Sequence, residues 1–266
     1  MYYFDLYKEF IKIRIKTALE YRASTIIFGI SQMISYLAEF ILLWIMVSKF
    51  QQMGQWNAYE LILIYATNLM GYAIASAFLH NTSTSFVEKI RTGEFDAVLT
   101  KPTNPLLYLC TSGFNQGYWS HILLSSMLMI FCFGKLGITF PLSKFLFLLI
   151  TVLSSALIQG SIQLMTMIPT FWMVKSDAIL DLKWQAYEFA KYPISIYHKS
   201  VQIILTLIIP YAFISFYPLQ YLLGKDDFLL FHPILQFLSP AVGILLAVAA
   251  YSLWLWGLKH YNSSGS

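Results

Sequence analysis

VEKIRTGEFDAVLTKP, residues 87–102, is a polar island in an otherwise apolar chain. It holds Glu88, Lys89, Arg91, Glu94, Asp96 and Lys101, whereas the segments on either side run almost without charge. Ser85 followed by Glu88 has the spacing of a capping box, in which a hydroxyl and a carboxylate satisfy each other's orphan backbone N–H groups at a helix start. A short helix is therefore expected to begin near Ser85. Gly93 can take the left-handed conformation that ends it, and Pro102 stops the turn that follows. The island thus reads as one or two brief helices held between two long ones. Its apolar residues Ile90, Phe95, Val98 and Leu99 admit two readings. Either they are tucked under neighbouring helices from a solvated loop, or they anchor a knob that docks on a soluble partner.

Outward from the island, composition sets the class. Hydrophobic residues make up 58% of the 266 and charged residues 11%, against about a quarter charged in a soluble domain, and the mean hydropathy is +0.63. An integral membrane protein follows. Its apolar runs approach the ~20 residues that cross a bilayer as a helix, so the fold class is all-α and polytopic. Six spans are expected at about 24–47, 58–79, 105–133, 144–174, 201–223 and 235–258, in one membrane domain covering 1–266. The formal charge of +4 does not point to nucleic acid, because the lysines sit in loops beside apolar runs, where they set orientation. Cys110 and Cys132 fall in one expected span, where 22 residues at ~1.5 Å each set them roughly 33 Å apart, beyond disulfide reach.

Residues 1–23 mix basic and acidic side chains and lack the short apolar core of a signal peptide. At about 100° per residue, Asp5, Lys8, Glu9, Lys12, Lys16 and Glu20 share one face and Tyr3, Phe4, Tyr7, Phe10, Ile11 and Ala18 the other, the pattern of a helix lying in the membrane interface. Arg14 falls within the apolar face, so that its guanidinium either snorkels to phosphate, the favoured reading, or meets a carboxylate. Glu39 lies near the middle of the first span. An ionisable group at that depth faces a functional interior or sits protonated in one interhelical hydrogen bond. Asn68 in the second span and Gln159 and Gln163 in the fourth are further polar interruptions. The third span is longer than a bilayer requires and carries Asn115, Gln116 and His121 in its first half, which excludes lipid exposure there. Glu39, Asn68, Asn115, Gln116, His121, Gln159 and Gln163 are thus the candidates for a translocation path or a dimer interface.

A second polar segment, 175–199, repeats Ile179, Leu180, Trp184 and Tyr187 at helical spacing and reads as a cytoplasmic surface helix ending before Pro193. Pro210 and Pro218 should kink or unwind the fifth span. With the N-terminus in the cytoplasm, only Lys49, Lys135, Lys144 and Lys225 of the 17 basic residues lie outside, which sets both termini and both polar segments in the cytoplasm.

The order of an interfacial helix, two spans, a cytoplasmic knob and four more spans resembles the membrane subunits of type 2 ABC exporters. IRTGEFDAVLTKPTNPL, Ile90 to Leu106, is similar to that family's cytoplasmic signature. YPISIYHKSVQIILTLIIPYAFISFYPLQYLLG, Tyr192 to Gly224, is similar to the Pro-rich fifth span of one subgroup, and GLKHYNSSGS, Gly257 to Ser266, to its Tyr-x-Ser-x-Gly ending. By the resemblance, residues 1–23 form an elbow helix and 84–102 a coupling region that enters a groove of a separate ATPase, with Glu88, Arg91, Gly93, Glu94, Phe95, Asp96, Val98 and Leu99 carrying the coupling. It implies a cell-membrane permease subunit with two P-loop ATPase subunits and a second permease chain, related or identical, as partners.

The sequence contains no G-x-x-x-x-G-K-[ST], so ATP and Mg belong to a partner chain and none is expected on this one. His80, His121, His198, His232 and His260 are scattered, without the i, i+4 pair of a metal-binding helix, and no G-x-S-x-G nucleophile occurs. A transport subunit without its own catalytic site is the reading adopted. A membrane-embedded lipid-handling enzyme and an ion channel or scaffold are the alternatives. The aromatic content of 17% and ten Met residues would suit an amphipathic or hydrophobic cargo such as a drug, peptide or lipid-like molecule.

Overall fold

The computed structural model describes residues 2–50, 52–139, 141–173, 177–228 and 230–262. Two stretches of the sequence reading lie outside these residues: 263–266 of the tail, and 174–176, where the fourth span was expected to pass into the second polar segment.

The fold is built around one helix, α3 (Ala58–Thr92). Its start is fixed by a capping box, in which Asn57 Oδ1 accepts from the Glu60 N–H at 3.1 Å and Glu60 Oε2 from the Asn57 N–H at 2.7 Å. Its end is Gly93, at φ 74°. At ~1.5 Å per residue this helix is about 52 Å long, well beyond the ~30 Å of bilayer hydrocarbon. The helix expected to begin near Ser85 is therefore the last two turns of α3. Ser85 Oγ donates back to the Thr82 carbonyl at 3.2 Å, a bond that a Ser makes inside a helix as readily as at its start.

Before this mast come α1 (Tyr2–Glu20), α2 (Arg22–Phe50) and a two-rung hairpin of β1 (Gln52–Met53) and β2 (Trp56–Asn57). The apolar face of α1 rests on α5 (Pro105–Ser112): the Phe10 and Tyr108 rings meet edge-on at 5.4 Å, and the Asn104 N–H donates to the Tyr7 hydroxyl at 3.1 Å. Arg14 is exposed and pairs with no carboxylate among the described residues. Its Nε donates to the Ser112 carbonyl, one of the orphan acceptors at the end of α5.

The third span is broken. After α5 the chain passes through residues 113–118 with a single 3₁₀ turn before α6 (Trp119–Leu136). The Asn115 N–H, freed by the break, donates to the Ala77 carbonyl of α3 at 2.8 Å, and Asn115 Oδ1 accepts from the Gly117 N–H at 2.9 Å. Cys110 and Cys132 fall on either side of the break and are both free thiols. Then α7 (Leu142–Met167) returns along α3, continued by a 3₁₀ turn to Phe171.

The segment expected as a surface helix runs instead along the length of α3. Phe171 stands 5.0 Å from Phe86, ring to ring, near the Thr92 end. On α8 (Asp177–Phe189), Trp184 and Tyr187 stand 5.9 and 5.3 Å from Tyr72 at mid-length. Ile196 then lies beside Gly54 in the hairpin that precedes Ala58. Ala186, Tyr187, Ala190 and Ile194, at spacings of one, three and four, are all buried in the core, so a full apolar face is available to hold the segment there. The expected fifth span is sharply bent. Lys199–Ile208, beginning with α9 (Lys199–Ile203) and passing through a π-helical turn, and Tyr211–Leu223, which includes α10 (Phe216–Leu223), meet at 78° around Pro210. The first limb starts and the second finishes at the Ala58 end: the first follows Ile196, and the second ends where the Leu222 carbonyl accepts from Lys144 Nζ. Lys225 Nζ, 2.9 Å from Glu60, and Trp56 Nε1, donating to Asp227 at 2.7 Å, lock this end. The final helix, α11 (Ser239–Lys259), lies along α7.

Counting 177–198 as a crossing and 199–223 as a re-entrant pair, six segments traverse the structure: α2, α3, α5 with α6, α7, 177–198 and α11. Among the described residues five helices are long and apolar enough to span a membrane, the third of them beginning only at Gln116, after the break.

Candidate functional site

Two places hold most of the residues singled out by the sequence. At the Thr92 end, Gly93 turns the chain into α4 (Phe95–Leu99). The spacing of Phe95 and Val98 sets both on one face of this short helix, and that face is filled by the chain itself. The Phe95 ring is fully buried, 5.2 Å from both Phe86 and Tyr261 and 5.9 Å from Phe171. Trp254 of α11 closes the cluster at 5.2 Å from Phe86. Val98 is buried beside it. Neither is available as an anchor for another protein, whereas Leu99, on the adjoining face, is 38% exposed. The charges lie outward: Arg91 pairs with Glu88 at 2.8 Å and Lys89 with Glu94 at 3.4 Å, while Asp96 is half-buried on α4. An exposed polar rim around Leu99 thus rests on an aromatic cluster that joins the ends of α3, α7 and α11.

The second place is the break between α5 and α6. Backbone that leaves helical geometry at membrane depth is tolerated where it is buried in protein or lines a cavity, and here it does both. A cavity of about 330 Å³ lies between α2, α3, α6 and α8, lined among others by Phe28, Tyr36, Tyr72, Asn115, His121 and Trp184. Gln116 is half-buried beside it without lining it. Asn68, Gln159 and Gln163 lie elsewhere, in the α3–α7 contact. Gln159 Nε2 donates to the Asn68 carbonyl at 3.0 Å, and Ser76 Oγ donates to Gln163 Oε1 at 3.5 Å. These are hydrogen bonds between helices of one chain, made where Gly71 lets α7 approach.

Glu39 is neither a lone interior carboxylate nor one partner of a single hydrogen bond. It accepts from Lys191 Nζ at 2.9 Å and from the Tyr65 hydroxyl at 3.4 Å. Lys191 comes from the second polar segment. The sequence reading missed it because the partner is 152 residues away and nothing local marks the pair.

Residues 33–265 match the ABC-2 family transporter proteins. The chain belongs to the ABC-2 family. No curated protein and no solved structure matches it. As an ABC-2 transporter membrane protein it has several membrane helices. Within that ABC-2 chain the polar island is the end of α3, the turn at Gly93 and the short helix α4, followed by a turn at residues 100–102.

Proposed function

We propose that this chain is the permease subunit of an ATP-driven ABC exporter, coupled through 84–102 to two separate P-loop ATPase subunits that bind ATP and Mg. It forms the translocation path with a second permease chain, related or identical, for an amphipathic or hydrophobic cargo. The observation that carries the reading is the aromatic cluster beneath α4. A push on a flexible loop is lost in bending, whereas a push on α4 passes through Phe95 into Phe86, Phe171 and Trp254, hence to the ends of α3, α7 and α11 together. A groove of about 350 Å³ beside it, bounded by Val87, Ile90, Arg91 and Trp172, gives a partner surface to engage.

Charge supports an orientation with both termini in the cytoplasm of a cell-membrane protein. Lys8, Lys12, Arg14, Lys16, Arg22, Lys89, Arg91, Lys101 and Lys259 gather at the Thr92 end, against Lys49, Lys135, Lys144, Lys199 and Lys225 at the Ala58 end. Co-purification of the ATPase with Leu99→Asp, alongside ATPase stimulation, tests the coupling. Loss of both with the membrane fold intact is expected, and normal values would move the contact away from α4.

A further inference from the structure

The cavity at the break of the third span contains a group that coupling does not use. His121 is 3% exposed and lines the cavity. Ser120 Oγ, within hydrogen-bond reach of the Gly117 carbonyl at 3.1 Å, spends its one proton there when it accepts from His121 Nδ1, 3.2 Å away. In that arrangement Nδ1 carries the imidazole proton and Nε2 is a bare acceptor. That Nε2 is buried and has no hydrogen-bond partner, a condition native proteins rarely leave without a use.

The surroundings define what would satisfy it. The ring centroids of Tyr36 and Tyr118 stand 4.3 and 4.9 Å from that of His121, and Phe28 and Trp184 complete an aromatic wall. Gln32, Asn81 and Asn115 supply amides. Among the described residues no Asp, Glu, Lys or Arg lines the cavity, and its ionisable lining is His80, His121 and the tyrosines, so it carries no permanent charge to balance a charged ligand. Its volume of about 330 Å³ lies at the lower end of the ~300–1,000 Å³ of small-molecule sites. We propose that this cavity binds an uncharged, ring-bearing amphipath whose hydroxyl or N–H donates to His121 Nε2 while its rings pack on the tyrosines. Phe28 and Tyr36 of α2 form one wall, and α2 turns Ile26, Ile30 and Ile34 outward, so the ligand is separated from the surroundings by a single helix. Treating the ligand as cargo rests on the transport reading; binding itself does not.

The test uses the full chain in phosphatidylcholine nanodiscs without any ATPase. Tritiated 2-naphthol is displaced by unlabelled 2-naphthol or by 2-methoxynaphthalene, which has the same rings and no donor. Competition isolates saturable binding from partition into lipid. The expected result is that 2-naphthol competes about tenfold better than the ether, the worth of one buried hydrogen bond. The preference should vanish in His121→Phe and return in part in His121→Gln, whose amide oxygen restores an acceptor. Ser120→Ala, which frees the proton to move to Nε2, should also reduce it and serves if His121→Phe fails to fold. Absence of saturable binding, equal competition in the native chain, or an undiminished preference in both His121→Phe and Ser120→Ala overturns the proposal. Failure here with ATPase stimulation intact removes the cavity reading alone, whereas lost ATPase association with the preference intact removes the coupling reading.

Discussion

Lys191 Nζ stands 2.9 Å from Glu39 and 2.7 Å from Glu188, so one buried ammonium ties α2 to the 177–198 crossing. The tie matters because α2 has little else. Ile27, Ile34 and Leu42 are each more than 60% exposed, and the helix is held mainly by α6 and α3 on one flank.

Lys191→Met should therefore destabilise more than Glu39→Gln. The first removes both ion pairs at once, but the carboxylates left behind are 40% and 61% exposed, so the loss is about 2 kcal/mol rather than that of a stranded buried charge. The second leaves Lys191 its Glu188 partner and keeps an acceptor, on a side chain 40% exposed, so a loss nearer 1 kcal/mol is expected. Thermal unfolding in detergent ranks the two, and the reverse order would show that Glu39 does not fasten α2.

A Cβ at Gly71 would lie 1.9 Å from Ser155 Oγ and 2.7 Å from Ser155 Cβ. Gly71→Ala should force α3 from α7 and cost about 1–3 kcal/mol by overpacking, and Ser155→Gly in the same chain should recover most of it. Gly134, whose added Cβ meets nothing within 4 Å, is the control. A double variant no more stable than Gly71→Ala would mean the close approach is not what Gly71 provides.

Phe95→Ala and Leu99→Ala should separate folding from docking. Emptying the Phe95 site costs about 3–5 kcal/mol and loosens three helix ends. Leu99→Ala should leave the melting temperature within a degree or two, since exposed substitutions rarely exceed about 0.5 kcal/mol, while weakening ATPase association. If Phe95→Ala melts like the native protein, α4 is not held by the cluster.

At Gly93 the backbone alone decides. With φ at 74° and nothing within 4 Å of an added Cβ, the cost of Gly93→Val is conformational, about 1–2 kcal/mol, while Gly93→Asn, which tolerates the left-handed region, should be nearly neutral. Equal effects of the two on melting and on ATPase association would sink this account.

Single cysteines in place of Leu99 and Ile196, in a chain with Cys110 and Cys132 replaced by Ser, should label with an impermeant reagent from opposite sides of the membrane. Both native side chains are partly exposed, at 38% and 39%. Labelling from one side only would mean that 177–198 does not cross.

Class, polar island and the turn at Gly93 were legible in the sequence because each is local. Apolar run length sets the membrane helices, and a glycine before a short helix marks a positive φ. The capping box Asn57–Glu60 was equally local, yet the same spacing at Ser85 and Glu88 misled, since a hydroxyl inside a helix bonds to its own backbone. What the tertiary structure alone decided is partnership. Phe95 could cover a neighbour or a partner, and only the convergence of Phe86, Phe171, Trp254 and Tyr261 fills its site from within. Segment 177–198 carries lysines that read as solvated, but Lys191 finds Glu39 across 152 residues and Lys183 lies over the Trp184 ring at 4.6 Å, so charge enters the core with its partners. The Pro-rich 199–223 has the length of a span, and only its two anchored ends show that it turns back. Composition sets whether a segment can leave water; which long-range contacts satisfy its polar groups sets where it goes.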